Sequence, residues 1–358
     1  MKVVSLVGAR PQFVKEAIVG EKLDEFGIEE ILVHSGQHYD FNMSEVFFKV
    51  LNLKSPKYNL GVGSGTHGEQ TGKTLIEFEK VLIKEKPDLV VLYGDTNTTL
   101  AGAIAAAKLK IPVAHVEAGL RQEPKDMPEE LNRVLTDRIS KYKFCPSKIA
   151  VQNLEHEGIT DDVYITGDVM YDIFLRFQKS VNGEEVLKKY ALKPKNYVLA
   201  TLHRDFNTDN EKRLSAILRA FSRISEKMPI ITPLHPRTIK RIHEFGLENT
   251  ISKDVRVIEP IGYDEMVALT THAHTVVTDS GGLQKECYFA QVPGVVMMID
   301  TGWIELVESK WNVLADADEE KIVSGVFNHP EPLEGMDNIY GDGKAAEKIA
   351  KIIKGEKI

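Results

Sequence analysis

Cysteine is nearly missing from this 358-residue chain: there are two, Cys145 and Cys287, far apart and outside any paired motif. That gives no disulfide framework, and a reduced, cytoplasmic compartment is the expectation. Positive charge is short as well. Lys and Arg number 45 against 53 Asp and Glu, a net charge of −8, so no basic field is available to displace counterions from nucleic acid. An anionic small ligand stays open, because local Arg, Lys and helix N-termini suffice for one. No apolar run approaches the length of a membrane span. Met1–Gly8 is a short strand feeding Ala9-Arg10-Pro11, too brief for a signal peptide. Internal repeats and low-complexity linkers are also missing. What remains is the composition of a soluble globular protein, long enough that two domains are expected.

The most informative stretch is 88–133. An apolar run, Leu89–Tyr93, ends in Gly94-Asp95; a small-sided helical segment runs to Lys110; a second strand ends in His115-Val116-Glu117. This reads as a β-α-β unit that delivers Asp95 and Glu117 at the carboxyl ends of parallel strands, the edge where open α/β sheets bind ligands. Pro128-Glu129-Glu130 then opens a helix. Three acids aimed at one cleft suggest proton chemistry. Some of them have a structural use too: Asp95 before Thr96–Thr99 would cap a helix, and Glu129 and Glu130 would complement a helix dipole. Glu117, flanked by Val116 and Ala118, has no such use, and unpaired burial there would be costly.

Arg10 and Lys15 lie around the start of a helix expected over 13–26, where backbone donors and cations suit a phosphate; a solvated Lys15 is the plainer reading. His34 and His38 are four apart, but Gly36 between them argues against a helical metal pair, and no metal is assigned. The glycines of 61–74 suggest a phosphate loop, yet His67 stands where one is required and no strand feeds it. A loop leading into a helix over 70–84 is expected instead. Near 178–195 the pattern turns charged, which places the domains at 1–178 and 179–344, with a C-terminal helix (345–358) returning to the first. In the second half, strands deliver His203-Arg204 and His235-Pro236-Arg237, and Tyr263 follows another. The strand Thr275–Thr278 ends in Asp279-Ser280-Gly281-Gly282, a turn that presents N–H groups to a phosphate. Glu286, one turn into the next helix, suits ribose hydroxyls. The alternation repeats in both halves, so the class is α/β with two doubly wound sheets.

Jointly, Gly8-x-Arg10-Pro11, Gly94-Asp95-Thr96, His115-x-Glu117-Ala118-Gly119-Leu120-Arg121, Pro128-Glu129-Glu130-x-Asn132-Arg133, Thr201-x-His203-Arg204, Pro233-x-His235 and Asp279-Ser280-Gly281-Gly282-x-Gln284 resemble the non-hydrolysing UDP-N-acetylglucosamine 2-epimerase family, in order over nearly the whole chain. The resemblance implies a GT-B fold, two Rossmann-like domains with the nucleotide sugar between them, a homodimer, and no cofactor. It implies a reaction by elimination. A base takes the C2 proton while UDP leaves C1, giving a 2-acetamidoglucal; UDP then adds back with protonation on the other face. Two faces require two acid/base groups. It assigns Asp95, Glu117, Glu129 and His203 to catalysis. Arg10, Lys15, Arg121, Arg133, Arg204, His235, Tyr263, Ser280, Gly281, Gly282 and Glu286 go to the substrate, with Arg10, His203 and the Ser280–Gly282 turn facing the departing diphosphate.

Two stretches, Gly8–Phe13 and Gln284–Phe289, more closely resemble the branch acting on UDP-2,3-diacetamido-2,3-dideoxyglucuronate; UDP-N-acetylglucosamine is the alternative substrate. A uronate asks for a cationic or donor-rich partner, for which Lys285, Arg204 and Arg237 are the candidates; for Lys285, a solvent-facing position on its helix is the plainer reading. The chain also departs from the family. Met298 and Gly302 replace an Arg and a Glu, Phe206 replaces a Glu, and the Arg of the family's second, activating sugar site near His67 is not found. A GT-B glycosyltransferase and a non-catalytic nucleotide-sugar binder are the competing readings. The carboxylate cluster favours elimination, since glycosyl transfer needs no proton relay to C2.

Overall fold

The computed structural model describes residues 1–36, 50–122, 125–335 and 338–356; His38 lies outside them. The chain divides into two compact units, residues 1–175 with 338–358, and residues 176–337. The first unit runs β1 (Lys2–Val7), α1 (Arg10–Glu25), β2 (Glu29–His34), β3 (Tyr58–Asn59), α2 (His67–Glu85), β4 (Leu89–Tyr93), α3 (Asn97–Lys108), β5 (Val113–Val116), α4 (Pro128–Ile139), β6 (Tyr142–Cys145), α5 (Lys148–His156), β7 (Val163–Ile165) and the first half of α6 (Val169–Ser180), whose residues from Arg176 on belong to the second. The second continues with α7 (Gly183–Lys189), β8 (Val198–Thr201), α8 (Asp205–Thr208), α9 (Glu211–Ser225), β9 (Ile230–Pro233), α10 (Pro236–Glu244), β10 (Val255–Ile258) and α11 (Tyr263–His272). It ends with β11 (Thr275–Thr278), α12 (Gly281–Phe289), β12 (Gly294–Val296), α13 (Ile304–Glu308), β13 (Asn312–Leu314) and α14 (Glu319–Phe327), before α15 (Ala345–Lys354) returns to the first.

Each unit is built on one parallel sheet. The strand orders are β3-β2-β1-β4-β5-β6-β7 and β10-β9-β8-β11-β12-β13. Both reverse direction once, between β1 and β4 and between β8 and β11. At such a point the connections leave neighbouring strands in opposite directions, and a crevice opens at the carboxyl ends. The sequence patterns explain the layers. β4, Leu-Val-Val-Leu-Tyr, is buried throughout, as a strand covered by helices on both faces must be. α3 is Ala-rich because little else fits: a Cβ on Gly102 would lie 2.8 Å from side-chain carbons of Leu6 and Leu92.

Two helices start earlier than the sequence pattern suggests, for the same reason. The Gln12 carboxamide accepts the N–H groups of Gly8 and Ala9 at 2.8 and 3.0 Å, so α1 begins at Arg10. Thr66 and Glu69 exchange side-chain-to-backbone hydrogen bonds at 3.4 and 3.0 Å, a capping box that starts α2 at His67. Gly68 and Gly72 therefore lie inside a helix, not in a phosphate loop. The C-terminal helix α15 packs on α1. Its first free N–H groups, those of Ala345 and Ala346, are accepted by the Asp172 carboxylate at 3.0 and 2.8 Å. No helix among the described residues is long and apolar enough to cross a membrane.

Candidate active site

In the first unit the acids gather at the ends of β4 and β5. Glu117 is largely buried, forms an ion pair with Lys15 of α1, and has a φ of +72°. Side chains rarely adopt that left-handed backbone, and they persist in it where the surroundings over-determine it. The surroundings here are legible. His115, one residue inside β5, is fully buried and places Nδ1 2.7 Å from Asp137 and Nε2 2.7 Å from the Gly94 carbonyl. The other Asp137 oxygen accepts the Gly119 N–H at 3.1 Å and Arg121 at 2.8 Å. Burial alone would raise the Asp137 carboxyl, but His115 and Arg121 outweigh it and hold it below its ordinary range. One buried aspartate thus pins the 115–121 segment from both sides.

Asp95 has a different setting. Thr96, not Asp95, caps α3, its hydroxyl accepting the Thr99 N–H at 3.4 Å. The Asp95 carboxylate is left about one-third exposed and pairs with Arg133 at 2.5 Å; Arg133 also reaches Glu130 at 2.9 Å. Asn132 donates to the Asp95 carbonyl at 2.9 Å. Glu129 stands exposed in the first turn of α4, and Arg10 is exposed at the start of α1.

The second unit carries a pocket of about 350 Å³, between the ends of β8, β9 and β11. Its walls include Ile261, Met266 and Tyr263, the last edge-on to Phe177 with ring centres 4.9 Å apart. Its polar groups include His203, His235, Ser280 and Glu286. Ser280 caps α12 by accepting the Leu283 N–H at 3.4 Å, which leaves a helix N-terminus at the pocket wall. Burial pushes the Glu286 carboxyl up to about 7, although the Tyr263 hydroxyl and the Lys285 charge pull the other way. His235 accepts the Arg237 N–H at Nδ1, 3.2 Å, so its ring proton sits on Nε2. Arg204 is exposed at the turn, with its Nε 3.3 Å from the Asp279 carbonyl.

Several side chains do something other than the sequence suggests. Lys15 is not solvated; it is the partner of Glu117. Arg121, assigned to the substrate, is clamped by Glu157 at 2.6 and 2.8 Å and by Asp137, and Arg133 is held by two carboxylates. Lys285 does not point into solvent: it is 4% exposed, with its ammonium 4.1 Å from the Trp303 ring centre. Met298, at the lost arginine, takes a weak hydrogen bond from Gln284 at 3.4 Å. Phe206 packs under Arg213, 5.6 Å from its ring centre. Sequence reasoning passed over Gln12, Asp137 and Asp279. Each is a buried polar residue in or just after a quoted motif, and buried polar groups require partners.

Two doubly wound units, each with its polar groups at the carboxyl ends of a parallel sheet, define a protein of the GT-B class. The chain matches the model of the UDP-N-acetylglucosamine 2-epimerase family over residues 21–354. It is 45% identical, over 99% of both chains, to a UDP-N-acetylglucosamine 2-epimerase homolog of Methanococcus maripaludis. It is 43% identical, over 99% of both, to the UDP-2,3-diacetamido-2,3-dideoxy-D-glucuronate 2-epimerase of Pseudomonas aeruginosa. The crystal structure of the Methanocaldococcus jannaschii UDP-GlcNAc 2-epimerase, in complex with UDP-GlcNAc and UDP, superposes with a TM-score of 0.84 at 44% identity, covering 99% of this chain and all (100%) of that one. The chain therefore belongs to the UDP-N-acetylglucosamine 2-epimerase family.

Proposed function

We propose that this chain is a non-hydrolysing 2-epimerase that inverts C2 of a UDP-linked N-acetyl sugar by eliminating and re-adding UDP. The observation that carries the reading is Glu117. A carboxylate fixed in a left-handed backbone beside a lysine, at a strand end next to that of Asp95, is organised for proton transfer. The pocket of the second unit supports the other half of the reaction. It offers a capped helix N-terminus for a diphosphate, His203 for the leaving oxygen, and Glu286 with the Tyr263 ring for a nucleoside. Asp95, Glu117 and Glu129 serve the two faces of C2, and His203 assists UDP departure. Arg10 adds charge at the diphosphate.

The substrate in this reading is UDP-2,3-diacetamido-2,3-dideoxyglucuronate, converted to its manno epimer for polysaccharide or glycan synthesis in the cytoplasm. UDP-N-acetylglucosamine is the second reading, favoured by the substrate named for the Methanocaldococcus enzyme. The protein works as a homodimer. Ile76 and Ile83 of α2 and Leu131 and Leu135 of α4 are exposed, on two helices that both pack against α3, and they supply an apolar surface for it. The test of the chemistry is incubation with the UDP-sugar in D2O. Deuterium at C2 of both epimers, with no acceptor present, is expected. Sugar transfer, hydrolysis or binding without exchange would refute the proposal.

A further inference from the structure

Asp279 follows β11 directly and is fully buried. β11 pairs with β8 in register Thr278 to Thr201, and the two hydroxyls meet at 2.7 Å. The residues that follow these strands, Asp279 and Leu202-His203, are thereby neighbours. The Asp279 carboxylate accepts the N–H groups of His203 at 3.1 Å and Arg204 at 2.9 Å, and the Asn207 carboxamide at 3.3 Å. Its Oδ1 also lies 3.1 Å from Nδ1 of the His203 ring. That ring is 47% exposed and lines the pocket.

A carboxylate oxygen can only accept, so one placed this close to Nδ1 favours the tautomer that carries its proton there. In that tautomer Nε2, on the opposite edge of the ring, is the acceptor.

We propose that Asp279 is the positioning residue of His203: it fixes the Nδ1–H tautomer, presents Nε2 to the diphosphate and stabilises the ring when Nε2 is protonated. The inference rests on the epimerase reading for its chemical consequence. As the C1–O bond breaks, its electron pair goes to the UDP oxygen, which takes the Nε2 proton; the C2 proton goes to a carboxylate. On re-addition the UDP oxygen gives its proton back to Nε2 as it bonds C1, and C2 takes a proton from a second carboxylate on the opposite face. Asp279 keeps the imidazolium beside a negative charge that does not itself take up the proton, the division of labour of a His–Asp pair.

The clamp on the His203 and Arg204 backbone is a structural role, so the deciding readout is the tautomer. In the full chain with 15N-labelled histidine rings, the His203 signals are assigned by their loss in His203→Gln. The neutral ring is expected to hold its proton on Nδ1. In Asp279→Asn the carboxamide oxygen still takes the backbone N–H groups while its NH2 faces Nδ1, so the proton moves to Nε2. A wrong tautomer of this kind should lower kcat by about 10²–10⁴-fold and leave KM within about threefold. A neutral wild-type ring protonated on Nε2 would overturn the proposal, and so would an Asp279→Asn protein with wild-type tautomer and kcat. If that variant fails to fold, the wild-type spectrum alone decides. Should the wild type epimerise no UDP-N-acetyl sugar, the epimerase reading falls while the tautomer result stands.

Discussion

Glu117 and Glu286 are both buried carboxyls near a lysine, and the structure gives them opposite settings. Glu117 is paired, and exchanging its charge for an amide removes the partner of Lys15 and, on the proposed epimerase reading, a base. Glu117→Gln should lower epimerisation by about 10²–10⁴-fold and abolish C2 exchange in D2O, measured by NMR on the same samples. Glu286 sits at about 7 against an ordinary value of 4.5 because burial dominates. The folded state thus holds its proton over a window in which the unfolded chain has lost it. Stability is fully present below pH 4.5, falls as pH rises toward 7 and stays lower above. Glu286→Gln should therefore be more stable than wild type at pH 8, by roughly 1–3 kcal/mol, with no gain at pH 4.5. Denaturant titrations at the two pH values check it, and weaker UDP binding by the variant would accompany it. Of these two settings only the chemical type was legible in the sequence. A carboxylate at a strand end is visible there; the lysine beside it is not, because position 15 of a helix meets position 117 only once β1, β4 and β5 lie side by side.

Elements were legible where period and punctuation agree. The buried strands β4, β8 and β11 and the turns that follow them stand in the sequence as apolar runs ending in Gly-Asp, His-Arg and Asp-Ser-Gly-Gly. The helix starts at Arg10 and His67 were not, since a side chain two residues further on, Gln12 or Glu69, sets each of them. The segment from Glu117 to Arg121 shows what the turn residues are for. Gly119 has a φ of +78°, and a Cβ there would run into the Ala150 carbonyl oxygen of α5. Its N–H is also one of the donors on Asp137. Gly119→Ala must move either the turn or α5, and a left-handed alanine alone costs about 1–2 kcal/mol. A loss of at least about 2 kcal/mol is expected in denaturant melts, together with a fall in kcat, because the same turn holds Glu117 in its left-handed backbone. A variant with wild-type stability would show that the turn has an alternative conformation.

For the whole molecule the open question is the sugar. Relatives named for UDP-N-acetylglucosamine and for the diacetamido-glucuronate stand almost equally near, at 45% and 43% identity, so overall similarity does not separate them and charge must. A uronate carboxylate has to exchange water for a cation or several donors. Of the three cations the sequence offers, Lys285 is buried against Trp303, and Arg237 is paired with Asp209 at 2.6 Å. Arg204 remains: it is exposed, its backbone is anchored on Asp279, and its guanidinium lies 3.8 Å from where a Gly281 Cβ would be, beside the N-terminus of α12. A charge at that place rewards an anionic substituent and does little for a neutral hydroxymethyl. Wild-type kcat/KM should be higher for UDP-2,3-diacetamido-2,3-dideoxyglucuronate than for UDP-N-acetylglucosamine. Arg204→Met should cut the uronate value by roughly tenfold or more, the size of a charge-assisted contact, with a smaller loss on the neutral sugar. Equal losses on both would place Arg204 at the diphosphate they share, and a wild type that prefers UDP-N-acetylglucosamine would refute the uronate assignment while leaving C2 epimerisation intact.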